Sequence, residues 1–119
     1  MKFDRKMSGS IRSFRSSFAR AALKLATMEL ELREVNNEEM VTKVVAVRDQ
    51  VLWSCVRLES AANDRHVTKG NQIKLDFLAT QARSISASSF DRRTALRLAQ
   101  KLVGTFDQAH RLITQSTYQ

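Results

Sequence analysis

The chain has 119 residues, no proline, three glycines, a single cysteine and a formal net charge of +8. That length suits one domain, and the shortage of proline and glycine excludes a turn-rich sandwich or barrel and a disordered tail. A lone Cys55 excludes an internal disulfide, and no run approaches the roughly 20 apolar residues of a membrane-spanning helix.

The first element carries Met7, Ile11, Phe14, Phe18, Ala21, Leu25, Met28, Leu32 and Val35 in alternating steps of four and three. This heptad stripe predicts a helix over 8–35. Residues 1–24 hold Lys2, Arg5, Lys6, Arg12, Arg15, Arg20 and Lys24 against Asp4 alone, net +6. Glu29, Glu31 and Glu34 follow, so the charges oppose the helix macrodipole at both ends and answer to something other than helix stability.

Asn36 and Asn37 read as a break, and Glu38 and Glu39 suit the first turn of a second helix over 37–62. Its main stripe is Met40, Val44, Val47, Val51, Cys55, Leu58 and Ala62, with Val41, Val45, Leu52 and Val56 as a second stripe beside it. Two stripes mean burial on more than one side, which supports self-association. Residues 63–71 are polar and aperiodic and form the longest loop. A short third helix over 71–86 places Leu75, Leu78, Ala82 and Ile85 on one face, with Ile73 and Phe77 on another. The serine run 84–89 supplies a turn, and Ser88 with Asp91 resembles a capping box opening a fourth helix over 89–115. That helix has the stripe Ala95, Ala99, Leu102, Phe106, Ala109 and Ile113, with Gly104 on the opposite side. The chain is therefore predicted to be an all-α, antiparallel four-helix bundle with a long, basic N-terminal helix, one domain over 1–119.

The sequence contains no HExxH, phosphate-binding GxxxxGK[ST], GxGxxG or GxSxG pattern and no cysteine pair at zinc spacing. His66 and His110 lie in different elements, and Cys55 falls on a core stripe. The expectation is a non-enzymatic protein with no cofactor and no metal site. Binding is the better prospect. Arg5, Lys6, Arg12, Arg20 and Lys24 spread opposite the first apolar stripe among Ser8, Ser13, Ser16 and Ser17, and Arg93, Arg97, Lys101 and Arg111 gather on one side of the fourth helix; Arg5, Arg12, Arg15, Arg20 and Lys24 with these four are the candidate nucleic-acid-binding residues. Trp53, with Val41, Val45, Leu52 and Val56, is the candidate protein interface, covering either helix three or a second subunit.

The leading expectation is a nucleic-acid-binding accessory or packaging protein that contacts phosphates, DNA or RNA unspecified, and forms a homo-oligomer. An acidic protein is the other anionic partner considered. A second class is a protein-interaction module, such as a scaffold, secretion-system component or chaperone-like adaptor, that pairs heptad faces. A third uses the N-terminus as a membrane-surface or organelle-targeting helix. The lone cysteine and the absence of a secretory signal point to an intracellular, reducing compartment, the cytoplasm.

Overall fold

A computed structural model describes the backbone of residues 2–63 and 65–116 and the side chains of 7–63 and 65–115. These residues form four helices: α1 Lys2–Glu34, α2 Glu38–Ala62, α3 Lys69–Ala87 and α4 Ala95–Ser116. No strand occurs among the described residues.

Local chemistry sets the helix ends. Asn36 takes a left-handed conformation (φ 57°) that asparagine tolerates better than most residues. The amides of Asn36 and Asn37 donate back to the carbonyls of Arg33 and Leu32, closing α1 in a Schellman turn. Asn37 then caps α2, its side-chain oxygen accepting from the Met40 amide at 3.3 Å. Thr68 caps α3 in the same way through the Asn71 amide at 3.2 Å, so α3 starts two residues earlier than expected and includes Gly70. The fourth helix starts six residues later than expected. Ser88 ends α3, its hydroxyl donating to the Ser84 carbonyl, while Asp91 holds a separate turn through the amides of Arg93 and Thr94. The anticipated capping box between Ser88 and Asp91 therefore does not form.

Cross-helix contacts fix the packing order. Arg15 meets Glu59 and Glu29 meets Arg48, so α1 and α2 run antiparallel. Ser10 meets Asp76 and Lys24 meets Ser86, so α1 and α3 run in the same direction. Gln50 meets Gln100 and Arg57 meets Asp107, so α2 and α4 also run in the same direction. The first half of α3 borders the last turns of α4, an antiparallel pair. The bundle is thus a square with α1 and α4 on one diagonal and α2 and α3 on the other. Two of its four seams are parallel, which corrects the expectation of an antiparallel bundle throughout. The connection 63–68 accounts for the difference, since it carries the chain from α2 to the far corner and buries Val67 on the way.

The core is one continuous cluster running from Met7 to Ile113. At its centre Phe14 and Phe106 are fully buried and meet edge to face across the α1–α4 diagonal, ring centroids 5.8 Å apart and planes at 82°. Because these rings are the largest fully buried side chains among the described residues, Phe14→Ala is expected to cost about 3–5 kcal/mol of unfolding free energy. Urea unfolding followed by circular dichroism reads this as a lower midpoint, and an unchanged midpoint would show that the diagonal contact is not central.

Candidate functional site

The bundle sorts its charges by face. The ion pairs among the described residues involve α2 or the acidic end of α1: Arg15 with Glu59, Arg33 and Arg48 with Glu29, Lys43 with Glu39, and Arg57 with Asp107. Arg15 grips Glu59 with two hydrogen bonds of 3.1 Å, which raises the basicity of the guanidinium. Hydrogen bonds from Arg33 and then Arg48 hold the Glu29 carboxyl below the usual glutamate range.

The side built on α3 is different. Its carboxylates, Asp76 and Asp91, are occupied internally. Asp76 accepts from the Ser10 hydroxyl at 2.7 Å and the Gln72 amide at 2.9 Å. Asp91 binds the amide and hydroxyl of Thr94 and the amide of Arg93, which lower its pKa. Arg12, Arg20, Lys74, Arg83, Arg97, Lys101 and Arg111 are exposed and make no ion pair among the described residues.

Between α1 and α3, three of these cations, Arg12, Arg20 and Arg83, border a groove of about 290 Å³ with Ser13, Ser16 and Ser17, and no carboxylate lines it. Arg83 Nη2 donates to Ser13 Oγ at 3.2 Å, orienting that guanidinium along the groove. The Ser17 hydroxyl is buried and has no hydrogen-bond partner among the described residues. Three guanidiniums and three hydroxyls around a carboxylate-free groove are the donor set that suits a phosphate or another oxyanion.

The structure distributes the sequence-selected residues unevenly. Arg12 and Arg20 line the groove, whereas Arg15 is held by Glu59. Lys24 donates to the carbonyls of Ser86 and Ser88 at 2.6 and 2.8 Å and lies 5.2 Å from the Phe90 ring, so it closes the C-terminus of α3. The side chain of Arg5 lies outside the described residues. Arg93 is exposed in the turn before α4, Arg97 and Lys101 are exposed in its first two turns, and Arg111 borders a second groove between α3 and α4. A Cβ at Gly104 would meet nothing within 4 Å, so no backbone approaches it. Sequence reasoning missed Arg83 and Lys74, because nothing local ties helix three to Arg12 or Arg111.

Of the candidate interface set, Val41 is a core residue and Val45 packs half-buried against the core. Leu52, Val56 and Trp53 are exposed, Trp53 at 62 %. Trp53 borders the α2/α4 groove beside Gln100 and Val103 and does not cover helix three, which lies across the diagonal. His66 lines a cleft at the end of the bundle with Arg12 and Arg15. No group of three or more His, Cys, Asp or Glu side chains that could hold a metal occurs among the described residues. Comparison with protein-family models, with curated proteins and with solved structures finds no match.

Cys55 is buried, and desolvation together with the neighbouring Glu59 pushes its thiol up to about 12. At pH 8 the native protein is therefore expected to react with a disulfide reagent far more slowly than a free thiol, and at the ordinary rate once unfolded in denaturant. Equal rates in both states would place the thiol outside the core.

Proposed function

We propose that this chain is a non-enzymatic, nucleic-acid-binding accessory or packaging protein that holds the sugar-phosphate backbone by electrostatic contacts on the α3 side of the bundle. The carrying observation is the sorting of charge: the α2 side is laced with ion pairs, while Arg12, Arg20 and Arg83 share a groove with no carboxylate. Unpaired guanidiniums beside hydroxyls favour phosphate oxygens over other surface groups. Arg93 just before α4, with Arg97 and Lys101 in its first two turns, extends the positive field towards one end of the bundle. About four to eight neutralised phosphates give an affinity that falls steeply with salt and carries little base specificity. The groove itself supports this sequence-independent mode, since no aromatic ring lines it to stack a base. A reducing, intracellular compartment suits both the lone thiol and such a partner.

A protein-interaction module is the second reading, favoured by Leu23, Leu30 and Trp53, each more than 60 % exposed. The membrane-surface reading has less support, because Phe14 lies in the core and Phe18 packs against it rather than forming a free apolar face.

Fluorescence anisotropy with labelled single- and double-stranded DNA and RNA across a salt series tests the proposal. Wild-type protein is expected to bind at low salt with a steep negative log–log slope. The triple variant Arg12→Glu, Arg20→Glu, Arg83→Glu is expected to bind at least tenfold more weakly with a slope shallower by roughly two to three, its thermal melt unchanged. No binding by wild type at low salt would remove the proposal, and undiminished binding by the triple variant would remove the groove from it.

A further inference from the structure

The most exposed large apolar side chains of the bundle are not scattered at random. Ile73 and Phe77 are 68 and 71 % exposed and border the α3/α4 groove, a space of about 660 Å³ with Leu78 and Leu112 in its lining and Lys74 and Arg111 at its rim. No carboxylate lines it. The outer face of α1 towards its C-terminal end, where Arg33 is paired with Glu29, carries the opposite combination. Leu23 and Leu30, 68 and 64 % exposed, stand one heptad apart, and Glu31 and Glu34 beside them make no ion pair among the described residues. Leu23, Thr27, Leu30 and Glu34 keep the four-three spacing of a helix seam, on a face that α1 turns away from its own core.

These two surfaces cannot satisfy each other within one molecule. The Ser10–Asp76 hydrogen bond sets Phe77 level with the start of α1, and Glu31 lies some 20 residues further along, roughly 30 Å at helical rise. We propose that they join two copies of the chain head to tail, the leucine-bearing acidic ridge of α1 from one copy lying in the basic α3/α4 groove of the next. Charge complementarity selects this occupant: the groove offers cations around an apolar floor, and the ridge offers carboxylates around an apolar row. The contact is heterologous, so each added copy leaves one groove and one ridge free, and growth continues until a ring closes. One helix face in one groove is a small interface, which sets association in the weak, concentration-dependent class.

Sedimentation velocity of the full chain at low salt over a wide concentration range tests this. The average mass is expected to rise with concentration from the 13.6 kDa monomer past the dimer, and to fall back when salt is added. A groove variant, Ile73→Ser with Phe77→Ser, and a ridge variant, Leu23→Ser with Leu30→Ser, should each remain monomeric with unchanged thermal melts, because all four side chains are exposed. Mixed in equal amounts, the two variants should form a dimer and stop there, since only one intact groove and one intact ridge remain. Charge reversal at Lys74 and Arg111 should abolish assembly and be rescued by mixing with Glu31→Lys, Glu34→Lys. A wild-type chain monomeric at every concentration, assembly unaffected by the groove and ridge variants, or a mixture that forms no dimer would overturn the proposal. A groove variant that loses nucleic-acid binding while keeping its mass would assign the groove to that ligand instead.

Discussion

The arrangement of this bundle depends on the polar seam between α1 and α3. Gln72 is almost fully buried, and its amide donates to the Ser10 hydroxyl at 3.0 Å and to Asp76 at 2.9 Å, while Ser10 in turn donates to Asp76. Two heptads along α1, Lys24 reaches the carbonyls that end α3. Leaving such groups buried without partners costs about 1–3 kcal/mol each, more for a charge. Apolar stripes alone permit α3 to pack beside α2, as in the simplest up-and-down bundle. The seam does not, because only α1, running in the same direction, supplies Ser10 and Lys24 at the matching levels. Once α3 is tied to α1, α4 must fill the corner beside α2, and the Phe14–Phe106 contact closes the diagonal.

The same tie produces the charge pattern. With α3 beside α1, Arg83 stands next to Arg12 and Arg20, and the Asp76 carboxylate of α3 is held by Ser10 and Gln72. Across the α1/α2 and α2/α4 seams, by contrast, opposite charges meet and neutralise each other: Arg15 with Glu59, Arg48 with Glu29, and Arg57 with Asp107. The surface excess of positive charge is therefore a consequence of topology as well as of composition. It leaves one side of the molecule suited to an extended polyanion and the other nearly neutral, with Trp53 exposed upon it.

The core stripes were legible in the sequence because heptad spacing states them directly: Phe14, Leu25 and Leu32, or Ala99, Leu102 and Phe106, fall where the periodicity puts them. The polar seam was not. Ser10 and Lys24 stand two heptads apart, but a hydroxyl or ammonium on a helix is read as an outward group unless its partner is known, and their partners lie more than 60 residues away. For the same reason Lys24 reads as an outward cation, and Arg83 does not read as a neighbour of Arg12 and Arg20. Val41 was mistaken for an interface residue because a second stripe on α2 does not reveal which of its members faces the core. The antiparallel expectation covers two of the four seams, because the connection from α2 to α3 crosses to the opposite corner, a path with no sequence signature.

The central claim is that cations free of ion pairs on the α1/α3 face, rather than net charge at large, determine what the protein binds. The most direct measurement is a nuclear magnetic resonance titration of the isotopically labelled chain with a short oligonucleotide, following the backbone amides and the arginine side-chain signals. The account predicts that perturbations concentrate on Arg12, Ser13, Ser16, Arg20 and Arg83, with smaller effects at the start of α4. Perturbations of equal size at the ion-paired Arg33, Arg48 and Arg57, or none on the groove, would contradict it.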